Sequence, residues 1–355
     1  MVNMQTEKYL VWEPGENGHL LVYCRRLVDY AIEQGLDLSV ALSRDALGSE
    51  AYQRHFDSDD SQARAISISG QRNLLSLLRR EGITTLIVPH ADPLLHYLLF
   101  ISFKKIKMNL LVMQDPQWEA RTAQTALLRG LRLRLKQLFI MLLGRRPSVT
   151  LRKLGPPTST SVKVVPDPVL ISELDTTISI ADLHLGVETF WFGIVGGISP
   201  HKNPMLVATA LRVLAASTSR RIGLAFIGPI SAELAGLESD ARDLLAETSV
   251  EFISRDRILS NSEMNAVISQ LDCVVMAYST HAPNSTAWKA ACIGTRFVAA
   301  GSSQYQLFAQ LTERGIVVDL ELASLVDAMN RALQSPPPEI LPMPDDRFAS
   351  RLLAP

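Results

Sequence analysis

At 355 residues the chain is too long for one ordinary core and predicts two domains. Apolar residues at 47% and a mean hydropathy of +0.13 supply ample material for buried sheets, while 35 basic and 36 acidic residues give no global attraction to nucleic acid. Three cysteines, Cys24, Cys273 and Cys292, stand far apart in apolar or helical contexts and suggest neither a disulfide framework nor a zinc pattern. They read as buried thiols in a reducing compartment. The opening MVNMQTEK lacks the basic and long apolar regions of a signal peptide, and no run of about 18 uncharged apolar residues predicts a membrane span, so we expect a cytoplasmic protein.

Apolar or β-branched runs at Tyr9–Trp12, Leu38–Leu42, Thr84–Pro89, Asn109–Met113, Val149–Leu151 and Lys163–Val165 predict strands, separated by segments that read as helical. The first strand runs into Gly15-Glu16-Asn17-Gly18-His19, whose glycines suit either a ligand-approaching loop or a plain tight turn. Asp57-Ser58-Asp59-Asp60 contains an Asp-x-Asp pair of the kind that binds a divalent cation, but it lies in a polar stretch and reads as a solvated loop or helix start. The segment Leu127–Pro147 carries Arg129, Arg132, Arg134 and Lys136 ahead of an apolar run ending in Arg145 and Arg146. It reads either as a domain helix with a solvated basic face or as a peripheral contact with an anionic membrane.

After PDPV at Pro166–Val169 the pattern fades, and we expect a first domain over 1–170 and a linker over 171–187. Strands then recur at Trp191–Val195, Ile222–Ile227, Val250–Ile253, Cys273–Ala277, Arg296–Ala300 and Ile316–Val318, with helices at Asn203–Ala216, Ser231–Glu247 and Ser262–Ser269. A second domain over 188–334 follows, then a tail over 335–355 that starts extended and ends in a short apolar segment. Strand and helix alternate throughout, which predicts an α/β protein of two doubly wound Rossmann-like domains, with ligands outside the carboxyl ends of the strands and in the cleft between the domains.

Two junctions carry the chemistry. FWFGIVGGISPHKNPMLVATAL, Phe190–Leu211, and MAYSTHAPNSTAWKAACIGTRFVAAG, Met276–Gly301, each lead an apolar strand through a polar turn into a helix. Such turns present backbone N–H groups to a phosphate, and Lys202 and Lys289 add positive charge. Lys202 reads as the group that offsets charge growing on a departing diphosphate, or as a surface lysine opening a helix. Asn284, Ser285 and Thr286 read as phosphate-facing or as a helix cap. His19, His90 and Asp92 are candidates to touch acceptor or sugar, or are structural residues at strand ends. Asp115 reads as an acceptor-orienting carboxylate or as a turn residue.

WEPGENGHLLVYCRRLVDYAIEQGLDLSVAL, VVPDPV, FGIVGGISPHKNP and SEMNAVISQLDCVVMAYSTHAPNSTAWKAACIGTRFVAA together resemble a GT-B glycosyltransferase, most closely the retaining glycosyltransferase family 4. The resemblance implies a hexosyltransferase-type enzyme. It would move a sugar from a nucleotide-sugar donor to a glycan, glycolipid or small-molecule acceptor, with retention; since the Asp-x-Asp stretch reads as a solvated loop or helix start, we expect no metal, and no cofactor. Donor-binding positions are then Gly197, Ser199, His201, Lys202, His281, Asn284, Ser285, Thr286 and Lys289. Acceptor-side positions are Asn17, Gly18, His90, Asp92 and Gln114, and Lys202, Asp115 and His19 are the catalytic candidates. His281 and Lys289 stand where the family carries two glutamates, Gly196 and Gly197 replace its basic residue ahead of the loop lysine, and Gln114 stands where it often has a histidine. A lysine cannot accept the hydrogen bonds of ribose hydroxyls, as the family's second glutamate does. These departures raise a second reading, a catalytically weakened protein that binds a nucleotide or glycan or serves as a partner subunit. Polysaccharide or glycolipid assembly suits the family, in the cytoplasm or peripherally on the inner membrane face.

Overall fold

A computed structural model describes residues 7–15, 18–56, 58–70, 73–100, 106–113, 127–157, 159–169, 183, 185–279, 285–342 and 347–354. The chain divides into two compact units, one of 1–168 with 345–355 and one of 169–344.

The first unit contains β1 (Lys8–Glu13), α1 (Gly18–Glu33), β2 (Asp37–Leu42), α2 (Arg44–Gly48), α3 (Glu50–His55), α4 (Asp59–Ala63), β3 (Ala65–Ser67), α5 (Leu74–Arg80), β4 (Thr85–Val88), α6 (Leu95–Phe100), β5 (Lys107–Val112), α7 (Leu127–Gly144), β6 (Val149–Gly155) and β7 (Val164–Pro166). Its sheet runs β3-β2-β1-β4-β5-β6-β7, parallel throughout. The apolar runs read as strands because helices cover both faces: every residue of β4 is buried, as are Leu10, Val11 and Trp12 of β1.

The second unit contains β8 (Phe190–Val195), α8 (Pro204–Ala215), β9 (Ile222–Ile227), α9 (Leu237–Leu245), β10 (Glu251–Arg255), α10 (Asn261–Gln270), β11 (Cys273–Ala277), α11 (Ser285–Ile293), β12 (Arg296–Ala300), α12 (Ser303–Thr312), β13 (Ile316–Val318) and α13 (Leu322–Gln334). Its parallel sheet runs β10-β9-β8-β11-β12-β13. Two layers of buried apolar side chains, one on each face, hold it. Phe192, Ile194, Leu211, Phe226 and Met329 belong to one, and Trp191, Val274, Met276, Trp288 and Phe297 to the other. Helix α10 begins with a capping box: Ser260 Oγ accepts from the Glu263 N–H and Glu263 Oε2 accepts from the Ser260 N–H.

In both sheets the strand order reverses between the first and fourth strands in chain order. A crevice forms where loops leave such neighbours in opposite directions. The two edges of interest are therefore β1/β4 and β8/β11.

The structure departs from the sequence reading in three places. β3 extends the first sheet beyond the expected strands. The helix expected over Ser231–Glu247 is a 3-10 turn at Ala232–Leu234 followed by α9, separated at Gly236, whose φ of +92° lies outside a helix. The expected tail is divided: the Leu341 N–H donates to Ala291 O in the second unit, whereas α14 (Phe348–Leu353) belongs to the first. There Phe348 stacks on Tyr23 at 4.9 Å, and Asn109 Nδ2 donates to Leu352 O at 2.9 Å. Asp59 and Asp60 are exposed in the first turn of α4, capped by Ser58. Cys24, Cys273 and Cys292 are free and buried.

Candidate functional site

The loop after β8 is tight because two backbones meet there. Gly196 has φ +78° and Gly228 has φ +140°, and a Cβ on Gly228 would stand 2.4 Å from Gly196 O. The chain then turns through Ser199 and a 3-10 turn, Pro200–Lys202, before Asn203 takes a left-handed φ of +46° and Pro204 opens α8. Asn203 Nδ2 donates to Ala277 O at 2.7 Å, and the Ser279 N–H donates to His201 O at 2.8 Å. These bonds stitch the loop after β8 to the end of β11.

Lys202 sits at the centre of this junction and is only 6% exposed. Its Nζ donates to Val195 O at 2.7 Å and lies 5.5 Å from the centroid of the Tyr278 ring. Among the described residues no carboxylate pairs with it, so a buried ammonium is held by one carbonyl and one aromatic face. An ammonium has three N–H groups, and charge in such a setting favours an anionic ligand. Beside it, Ser199 Oγ lies 2.8 Å from His201 Nδ1, and the His201 ring meets Tyr278 edge-on. Burial, with the adjacent Lys202 charge, holds the His201 imidazole below its ordinary pKa. Gly197 is exposed, and a Cβ there would meet nothing within 4 Å.

In α11, Thr286 and Lys289 are buried and Ser285 half-buried. Lys289 Nζ donates to Asn261 Oδ1 at the start of α10. The lysine is thus tied to a neutral amide. His281 and Asn284 lie outside the described residues.

The β1/β4 edge has a different character. Glu13 ends β1 and is 1% exposed; its Oε1 accepts from the Gly15 N–H at 2.8 Å, while Oε2 has no hydrogen-bond partner among the described residues. Burial pushes this carboxyl up to about 8, against the smaller opposing effect of the Gly15 bond. After β4, Asp92 is committed on both oxygens: Oδ2 accepts from the Met113 N–H at the end of β5, and Oδ1 pairs with Lys136 of α7, both at 2.8 Å. His90 beside them is held below its ordinary pKa, first by burial and then by Lys136, with Asp92 opposing.

The structure therefore gathers Ser199, His201 and Lys202 with Tyr278 and Ser279 at one edge, and His90 and Asp92 at the other. Gly18 and His19 open α1. Asn17, Gln114 and Asp115 lie outside the described residues. Sequence reasoning placed Glu13 and Tyr278 at strand ends and Asn203 at a helix start, but gave none of the three a role in the site. The order Asn-Pro before a helix marked Asn203 only as a helix start, and a glutamate closing a strand reads as a loop residue until its burial is seen.

No known protein-family profile and no curated protein sequence matches the chain. Solved structures do. Sucrose-phosphate synthase from Thermosynechococcus elongatus superposes with a TM-score of 0.67 at 12% identity, over 98% of this chain and 92% of that one. WaaG, a glycosyltransferase involved in lipopolysaccharide biosynthesis, gives 0.66 at 13% identity over 97% and 94%. Anabaena HepE, solved with UDP and glucose, gives 0.61 at 14% identity over 98% and 94%. The chain has the GT-B fold of two Rossmann-like units. Its structural neighbours include GT-B glycosyltransferases.

Proposed function

We propose that this chain transfers a hexose-type sugar from a nucleoside-diphosphate donor, bound at the β8/β11 edge, to a glycan, glycolipid or small-molecule acceptor. One observation carries the reading: the buried ammonium of Lys202 at the carboxyl end of the second sheet, with no carboxylate among the described residues to neutralise it. As the bond between the anomeric carbon and the phosphate oxygen breaks, its electron pair moves onto the diphosphate. A fixed positive charge there stabilises the departing group without a metal. The acceptor oxygen forms the new bond to the anomeric carbon, and its proton passes to the leaving phosphate oxygen, which requires attack on the departing face and gives retention. Gly197, Ser199 and His201, with Asn284, Ser285 and Thr286 of the second junction, complete the donor side. His19, Asn17, Gly18, His90, Gln114 and Asp115 contribute to the acceptor side, and Asp92 acts by fixing the ends of β4 and β5. HepE, solved with UDP and with UDP-glucose, supports the donor class. Polysaccharide or glycolipid assembly at the inner face of a membrane is the setting.

The test is turnover with UDP-, GDP-, ADP- and TDP-sugars and an acceptor panel in the presence of a chelator, with product stereochemistry read by NMR. Transfer with the donor's anomeric configuration is expected, and a consistently inverted linkage would defeat the mechanism. One observation favours a second reading, a nucleotide- or glycan-binding protein or partner subunit of weakened activity. Lys289, already tied to Asn261, occupies the position from which a carboxylate is expected to hold ribose hydroxyls. Nucleotide binding without turnover, across all donors, is the result that selects it.

A further inference from the structure

Helix α7 is apolar on two faces. Leu133 and Leu143 are buried, and Phe139 and Ile140 pack against the core of the first unit. The opposite stripe is apolar as well: Leu131, Leu135, Leu138 and Met141 are 55%, 41%, 41% and 46% exposed. Their spacing of four, three and three residues places them in one row along the helix. Arg134 and Arg145 are exposed beside that row. Arg146, just past the helix, donates to Leu98 O and Leu99 O, which brings the end of α6 and its 82% exposed Phe100 to the same end. Over 127–146 the sequence carries six basic residues and no acidic one, in a chain whose formal net charge is −1. No helix among the described residues is long and apolar enough to cross a membrane.

From these observations we infer that the outer face of α7 is the seat of an anionic lipid bilayer, with Leu131, Leu135, Leu138 and Met141 entering the headgroup boundary and the flanking arginines meeting lipid phosphate. A helix whose apolar row is uncovered by its own fold needs a partner, and a purely basic border selects a negatively charged one. A protein partner or a second copy of this chain has no such uniform requirement for negative charge. The ion pair from Lys136 on the inner side of α7 to Asp92 holds this helix against the ends of β4 and β5. A bilayer bound on α7 thus lies against the helix that braces the proposed acceptor side, which points to a lipid-borne acceptor. That last step depends on the proposed function; the docking does not.

The experiment is co-sedimentation of the full chain with phosphatidylcholine vesicles, with and without one third phosphatidylglycerol, at low and high salt and without any nucleotide sugar. The chain is expected to pellet with phosphatidylglycerol vesicles and not with phosphatidylcholine alone, and salt is expected to weaken the binding. The variant L131Q/L135Q/L138Q/M141Q, on exposed positions, is expected to lose about tenfold or more of the vesicle affinity, and R134E/R145E a comparable amount at low salt. Unchanged melting temperatures keep a folding defect from being mistaken for lost docking. Vesicle binding that neither variant reduces overturns the inference. So does a wild-type chain that dimerises through this row while ignoring vesicles. Failure of sugar transfer with docking intact would instead count against the proposed function alone.

Discussion

The β1/β4 and β8/β11 edges share a topology and differ in charge. At β8/β11 a buried lysine stands without a carboxylate among the described residues, next to an imidazole whose pKa is lowered by burial and a second lysine tied to an amide. At β1/β4, among the described residues, Lys136 is spent on Asp92, and the Glu13 carboxyl is driven toward its neutral form. One edge keeps the Lys202 charge in reserve, whereas the described groups of the other are paired or suppressed. Strand order alone creates both crevices, but the charge at β8/β11 is the one that favours an anion. The difference teaches that in a doubled α/β chain the electrostatics of the strand ends, and not the shared topology, distinguish the two edges, and the proposed donor and acceptor sides rest on that distinction.

The comparison is broken most severely at Lys202. Lys202→Met keeps the stem and removes the charge, and a loss of about a hundredfold or more in kcat/KM for sugar transfer is expected. Activity within a few-fold of wild type would mean that the reserve charge is not used. Next in size is Gly228→Ala, which drives a methyl into Gly196 O at a backbone angle that disfavours a side chain; a stability loss of about 2–4 kcal/mol by chemical denaturation is expected. An equally stable Ala variant would show that the two backbones need not meet so closely.

Glu13 sharpens the other side of the contrast. Its folded value of about 8 lies above the ordinary carboxylate value of 4.5, so the stability it contributes is full below about pH 4.5 and is lost as pH rises through about 8. Glu13→Gln is therefore expected to flatten the fall in stability across that window and to be the more stable chain at pH 9. Thermal unfolding from about pH 5 to 9 reads it, and parallel pH profiles would contradict the buried neutral acid. The smallest expected effect is at Asn203. Asn203→Ala loses the bond to Ala277 O and strains a left-handed residue, at a cost of about 1–2 kcal/mol, while Asn203→Gly relieves the strain and is expected to cost less. Calorimetric melting of the pair separates the two contributions.

Much of this fold was legible because parallel strands buried on both faces leave unbroken apolar runs such as those of β8 and β9. β3 was not, since its three residues, Ala65–Ser67, are at an edge and none is buried. The fate of the C-terminus was also hidden, because the partners of α14, Tyr23 and Asn109, lie more than 200 residues away in sequence. At the site, Lys202 was visible from its place after a strand and a glycine pair. The commitment of Asp92 was not, as Met113 and Lys136 come from two other elements. The role of Glu13 was not legible, because a position at a strand end says nothing of burial, and only packing reveals that water has been excluded from it.

The central claim is that the uncompensated charge of Lys202 holds a nucleoside diphosphate. Thermal shift of the wild type and of Lys202→Met with UDP, GDP, ADP and TDP, without added metal, tests it directly. A ligand at a hundred times its dissociation constant adds about 2.7 kcal/mol of stability, a rise of a few degrees. A rise with one nucleotide in the wild type, abolished in Lys202→Met, is the predicted result; no rise with any nucleotide, or an equal rise in both chains, would contradict it.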